Sequence, residues 1–271
     1  MQTTTAIASS VGIHLRDWRQ RRRMSQLDLA LDADISARHL SFLETGRSRP
    51  SRDMVLRLAE KLDVPLRERN ELLVAAGFAP MFPERKLEDP QLDAARRAIE
   101  LVLKGHQPYP ALAIDRHWTL VAANAAVPPM LQGVDAELLE PPVNVLRLSL
   151  HTGGLAPRIV NLQEWREHLF ERLRRQIDVT ADPALKELLA ELRQYPVPEH
   201  HERRPNKVDY AGVVVPLRMR TESSELAFFS TTTVFGTPID VTLSELAIEA
   251  FFPADTATAQ AMWDSQGEKN V

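Results

Sequence analysis

Ala37, Arg38, Ser41 and Phe42 share one side of a short amphipathic stretch, and two more arginines, Arg47 and Arg49, follow it within a few residues. A guanidinium at the start of a helix is a planar fork of donors that suits a guanine edge, while arginines in a following loop suit phosphate oxygens. The chemistry implied is base reading together with phosphate neutralisation. Leu40 and Leu43 recur at helical spacing in the same stretch and must face inward, which turns the four named side chains outward on a helix from Ala37 to about Glu44. Ser36 is a suitable N-cap for it. Upstream, Gln26 opens another short helix with an apolar stripe expected at Leu27, Leu29, Ala30 and Ala33, and Ile35 marks the turn. Two short helices, a turn and an Arg-rich loop are the layout of a helix-turn-helix DNA reader.

Ser25, Gln26, Leu29, Ala30, Ile35, Ser36, Leu40, Ser41, Glu44, Gly46 and Pro50 together resemble the xenobiotic-response-element (XRE) class of bacterial regulators, the lambda-repressor-like type, over roughly residues 10–79. The resemblance implies that Gln26 caps its helix against a phosphate, and that Arg38, Ser41 and Phe42 face the major groove. It also implies phosphate contacts for Arg47 and Arg49, and an ion pair between Arg19 and Glu44. Asp34 stands where the class usually has glycine in the turn; aspartate tolerates the left-handed region better than most residues. Charge agrees independently: residues 1–80 hold 13 Lys+Arg against 10 Asp+Glu, whereas the whole chain holds 33 against 37. The basic part is thus the part that must meet phosphate. Arg21, Arg22 and Arg23 end the first helix, either as a solvated end that suits the helix dipole or as further phosphate contacts.

Further helices are expected from Arg52 to Leu62, capped by Ser51, and from Pro65 to a stop at Gly77, which completes an all-α bundle of about five helices. Residues 80–90 are proline-rich and of mixed charge and read as a linker. At 271 residues with 44% hydrophobic content the chain has room for two domains with ordinary cores. There is no apolar run of about 20 residues and no charged-then-apolar leader, so neither a membrane span nor a signal peptide is expected, and the chain is expected in the cytoplasm. Zero cysteines exclude disulfides, thiolate metal sites and a cysteine nucleophile.

The second domain is expected over residues 91–265. A helix from Gln91 to about Lys104 precedes a hairpin of Ala111–Ile114 and Trp118–Ala123, after which Asn124 turns the chain away. Leu155 to Tyr195 reads as helical, with Leu162, Trp165, Leu169, Leu173 and Ile177 on one face. Strands follow at Ala211–Arg220, Glu225–Phe235 and Leu243–Phe252, with turns at Ser223-Ser224 and Thr237-Pro238. Two strands, helices and three strands give an α+β PAS-like domain with an antiparallel sheet. The phrase Asp115-x-x-Trp118-x-Leu120-x-x-x-Asn124-x-Ala126 resembles the opening of PAS domains. With NVLRLSLHTGGLAPRIVNLQEWREHLFERLRRQ and the helix-turn-helix, the chain resembles the MmyB-like transcription regulators over nearly its whole length. That resemblance implies a sensor of a small apolar or fatty-acyl effector.

Catalytic and metal readings find little support. Glu164, Glu167 and His168 lack a complete ligand set, His200-His201 lies in a Pro- and Arg-rich connector, and Gly153-Gly154 lacks a phosphate-loop context. Neither catalytic residues, nor a metal, nor a cofactor is assigned. Trp118, Trp165, His168, Leu169, Phe228 and Phe235 are candidates for lining a ligand pocket, although their spacing equally suits a solid core. Arg158, Arg172 and His168 could anchor an anionic head group or be ordinary surface charge. The expected partners are double-stranded DNA, a small-molecule effector such as a fatty acid, and a second copy of the chain in a homodimer. The alternative is a DNA-binding regulator whose second domain only dimerises or contacts a protein; a fused regulator and enzyme is the third reading.

Overall fold

The computed structural model of the chain describes residues 3–197, 215–221, 224–236 and 238–267. The described parts of Met1–Arg85 and Pro238–Ser244 form one compact unit, and those of Lys86–Thr237 and Glu245–Val271 a second.

The first unit holds five consecutive helices, α1 (Thr3–Arg21), α2 (Gln26–Asp32), α3 (Ala37–Glu44), α4 (Arg52–Lys61) and α5 (Leu66–Ala75). Local chemistry starts three of them. Ser25 and Asp28 make a reciprocal capping box on α2, while the Ser36 and Ser51 hydroxyls accept from the third backbone N–H of α3 and α4. Asp34 takes the left-handed conformation in the turn, at φ 54°. Leu29, Leu40, Leu43, Val55, Leu58 and Leu72 pack the centre with Leu15 and Trp18. One expected core residue is elsewhere: Leu27 is 58% exposed, on the outer flank of α2 beside Leu31, because Leu29, Ala30 and Ala33 already fill the inward face.

A buried ion pair ties this unit together. Arg19 Nε and Nη2 donate to the two carboxylate oxygens of Glu44 at 2.6 and 2.8 Å, Arg19 Nη1 donates to the Met24 carbonyl at 2.9 Å, and Gln26 Nε2 donates to Glu44 Oε2 at 2.8 Å. The bond from Glu44, then its charge, raise the Arg19 guanidinium above its already high ordinary value, against the cost of burial. Gly12 lets α1 lie against the end of α3: a Cβ there would sit 2.5 Å from the Leu43 carbonyl oxygen. Arg22 donates to the Leu62 and Asp63 carbonyls at 2.7 and 2.8 Å, so it caps the end of α4 rather than standing free in solvent.

The second unit contains α6 (Asp93–Gly105), β1 (Ala111–Ile114), β2 (Leu120–Ala123), α7 (Ala136–Leu139), α8 (Val145–Leu150), α9 (Leu162–Thr180) and α10 (Pro183–Arg193). Then come β3 (Leu217–Arg220), β4 (Glu225–Val234), β5 (Ala247–Pro253) and α12 (Thr256–Gly267); α11 (Val241–Ser244), between β4 and β5 in the chain, belongs to the first unit. The strands form an antiparallel sheet in the order β2-β1-β5-β4-β3, so two strands, helices and three strands build the expected α+β domain. Asn124, 5% exposed, explains the turn after the hairpin. Its amide donates to the Leu103 and Tyr109 carbonyls at 3.1 and 2.7 Å, and its oxygen accepts from Ala111 N at 3.1 Å.

Four expected boundaries move. Trp118 is not in β2 but in the turn before it, at φ 66°, because Asp115 Oδ1 accepts from both His117 N and Thr119 N at 2.8 Å and curls the backbone. The helical stretch from Leu155 to Tyr195 is two helices, broken where Ala181 turns left-handed and Asp182 caps α10 ahead of Pro183. The strand expected from Leu243 starts at Ala247, since Asp240 Oδ1 accepts from Thr242 N at 2.9 Å and opens the helical turn of α11. Within the strand expected at Ala211–Arg220, the described part is extended from Leu217; Ala211 to Val214 lie outside the described residues, as do Ser223, Thr237 and the pair His200-His201.

Replacing Glu44 by Ala leaves Arg19 buried without its counter-charge and should cost the helical unit about 3–5 kcal/mol, read from urea unfolding monitored by circular dichroism. His168, on α9, is pushed below the ordinary histidine value first by burial and then by the neighbouring Arg172 charge. Folding therefore favours its neutral form: its contribution is complete above the ordinary value of about 6.5 and is lost as pH falls below it. Urea midpoints of the wild type should drop more between pH 7.5 and 5.5 than those of His168→Gln; equal drops would remove His168 as a source of that acid limb.

Candidate functional site

The outer face of α3 is built by its neighbours. Leu40 and Leu43 are fully buried, so Arg38 projects outward from the first turn while Ser41 and Phe42 are half-buried beside it. The loop after α3 folds back because the Phe42 carbonyl accepts from Arg47 N at 2.8 Å and from Ser48 N at 3.1 Å. This return places the Arg47 guanidinium 5.9 Å from the Phe42 ring centroid, while Arg38 lies 5.3 Å from the same ring. Two exposed cations are thus held on one aromatic ring, an arrangement that limits the rotamers each loses on meeting an anion.

The other candidates of the first unit are placed as follows. Ala37 is half-buried against the helical core, the Ser36 hydroxyl is occupied as the cap of α3, and Arg49 is exposed past the loop. Gln26 stands at the first turn of α2, and its amide group is bonded to Glu44.

The second unit contains a partly open cavity of about 100 Å³ between the sheet and its helices. Leu112, Leu217, Met219 and Phe251 come from the strands; Leu146, Leu148, Trp165 and Leu169 come from α8 and α9; and Val127, Met130 and Leu131 close one side. Trp118, in its left-handed turn, is held in the wall by a bond from Nε1 to Gln176 Oε1 at 2.7 Å. Three of the six candidates, Trp118, Trp165 and Leu169, are therefore cavity residues. His168 stacks on Trp165 with ring centroids 5.4 Å apart but is not among the lining residues. Phe228 is fully buried in an adjoining cluster with Leu226 and Met262, which shares Met130 and Phe251 with the main core, and Phe235 lies beyond the end of β4.

Polar groups in the cavity wall are few. Ser149 Oγ accepts from Trp165 Nε1 at 3.0 Å. Arg172 and Glu249 supply its charges: Arg172 Nη1 donates to Glu249 Oε2 at 3.1 Å, Arg172 Nη2 donates to Glu249 Oε1 and to Thr232 Oγ1, and Thr232 Oγ1 donates to Glu249 Oε1 at 2.8 Å. The guanidinium also lies 4.9 Å from the Trp118 ring centroid. Arg158 is spent on the Met130 and Gln132 carbonyls, and burial lowers its pKa from the ordinary arginine value. Sequence reasoning singled out Arg172 and missed Glu249; the signal was one acid in the otherwise apolar run Ala247–Phe252. Among the described residues no three of His, Cys, Asp and Glu converge on a metal position, and no helix is long and apolar enough to cross a membrane.

Comparison with known proteins gives a family match in each unit. The sequence model of the MmyB-like transcription regulator ligand binding domain matches residues 95–263, and a helix-turn-helix model matches residues 15–69. A protein of Methanoculleus marisnigri, named as a regulatory protein of the helix-turn-helix transcriptional type, is 37% identical over 113 residues, which are 40% of this chain and 36% of that protein. The chain thus spans about a third of that relative's length. Among solved structures, the clp gene regulator ClgR of Corynebacterium glutamicum is 24% identical over 26% of this chain and 88% of its own, with a TM-score of 0.24. An RNA-binding light-oxygen-voltage receptor is 13% identical over 98% and 62%, with a TM-score of 0.26; neither likeness is close enough to carry an argument. The two family matches do: the chain carries a helix-turn-helix domain and belongs to the family defined by the MmyB-like transcription regulator ligand binding domain.

Proposed function

We propose that this regulator binds duplex DNA sequence-specifically as a homodimer, and that its second unit senses a small apolar or fatty-acyl ligand. The observation that carries the reading is the apolar cavity in the unit that does not contain the recognition helix. An ordinary core is filled to crystal-like density and has no room of this kind. The cavity, at about 100 Å³, is of the scale of the ~150 Å³ apolar cavity that accepts benzene. A short acyl chain fits it as shaped. A longer one requires the wall to give, and Met130 and Met219, unbranched, are its adaptable members.

On the DNA side, Arg38 is the base reader and Arg47 and Arg49 the phosphate contacts, with Ser41 and Phe42 on the same face and Ser36 and Ala37 at the helix start that meets the groove. Gln26, tied to Glu44, presents the start of α2 to the backbone. One short recognition helix covers few base pairs, so two copies reading an inverted repeat about 34 Å apart, or a multiple of that, supply the missing specificity.

Fluorescence anisotropy on a selected operator tests this. Arg47→Ala should weaken binding on all sequences alike and make the slope of log affinity against log salt shallower by about 0.9. Arg38→Ala should relax preference at one position per half-site, at a cost of about 1–3 kcal/mol of discrimination. If Arg38→Ala kept the full wild-type motif, Arg38 would not be a base reader. Adding a ligand that raises the melting temperature of the second unit should shift DNA affinity by a factor within the usual coupling of about 1–3 kcal/mol; no shift with a bound ligand would leave the second unit a dimerisation module.

A further inference from the structure

Charge bookkeeping at the cavity decides what kind of head group it accepts. The lining holds one cation and one anion, Arg172 and Glu249, and they are paired with each other. Glu249 has a side chain 4% exposed and Arg172 one 21% exposed, so the pair is anchored inside the domain. An anionic ligand entering here meets a guanidinium whose charge is already balanced by a bidentate carboxylate, and it brings a second negative charge to that carboxylate in an apolar surround. A neutral polar group meets no such repulsion. It finds an acceptor in Glu249 Oε2, which receives a single bond from Arg172, and a donor in the Ser149 hydroxyl, whose oxygen accepts from Trp165 and whose hydrogen has no acceptor among the described residues.

We infer that Glu249 makes the cavity selective for uncharged apolar ligands ending in a hydroxyl or amide, and against free carboxylates, by masking the charge of Arg172. This deepens the sensor reading and rests on it. A fatty-acyl effector would then enter as a neutral derivative rather than as the free acid.

The test compares 1-hexanol, hexanamide and hexanoate, which share a six-carbon chain, on the full-length protein at pH 8, where hexanoate is ionised. Binding is followed by titration calorimetry and by the fluorescence of Trp118 and Trp165, both in the cavity wall. The expected result for the wild type is that the alcohol and the amide bind at least about tenfold more tightly than the acid, a difference of about 1.4 kcal/mol. Glu249→Gln keeps the side-chain shape and uncovers the Arg172 charge, so hexanoate should gain about tenfold or more relative to hexanol. Should that variant fail to fold, the wild-type ratio decides alone. Hexanoate binding the wild type as tightly as hexanol would overturn the inference and leave the sensor reading standing. If none of the three binds, nor their homologues from four to twelve carbons, the sensor reading falls and takes the inference with it.

Discussion

A carboxylate in the middle of a sheet has to be neutralised, and Glu249 sets the geometry of the second unit by that requirement. Its strand, β5, lies between β1 and β4, with Glu249 paired across to Leu112 on one side and Thr232 on the other. A buried carboxylate without a partner would be several kcal/mol unfavourable, so α9 must cross the sheet where Arg172 can reach it. Once Arg172 is placed, helical periodicity carries Leu169 and Trp165, three and seven residues earlier, onto the same face and into the cavity wall. The guanidinium in turn supports the Trp118 ring, and Gln176, one turn further along α9, holds the indole N–H. Register of the helix and composition of that side of the cavity wall follow from one ion pair.

Much of the first unit was legible because its determinants are local. Ser25, Ser36 and Ser51 cap the helices they precede, and the left-handed Asp34 needs no partner from elsewhere in the chain. The Arg19–Glu44 pair, expected from resemblance, is present. Leu27 was misjudged since a helix of only seven residues, Gln26–Asp32, offers too little sequence to decide which of two apolar flanks faces inward; Leu29, Ala30 and Ala33 take the inner one.

Long-range determinants were harder to read in the second unit. The apolar face of α9 was visible, but Leu185, Leu188 and Leu192 continue an apolar period past Thr180, so the break at Ala181 was hidden even though Asp182-Pro183 marks it. Trp118 looked like a strand residue by type, and only the double acceptance by Asp115 moves it into a left-handed turn. Phe228 does share the sheet face with Glu249, through the alternation of β4 and its pairing with Pro253. It packs instead with Leu226 and with Met262 of α12, a contact that no local pattern in β4 encodes.

The Arg19–Glu44 and Arg172–Glu249 pairs differ in role because the first is closed inside a helical core and the second lines an apolar space. In the helical unit Glu44, with a side chain 1% exposed, accepts from Arg19 and Gln26, and Arg19 spends a further donor on the Met24 carbonyl. That closed set joins α1, α2 and α3 and has nothing left to offer a ligand; it acts by fixing where Arg38, Phe42 and Arg47 stand. The pair in the second unit is equally buried on its acidic side, yet Arg172 and Glu249 both line an apolar space. Replacing a buried ion pair with well-packed apolar side chains is often neutral or stabilising, so stability alone gives little reason for charges in that wall. On the proposed reading, the open polar edge orients what enters the apolar cavity, and its zero net charge favours an uncharged head group.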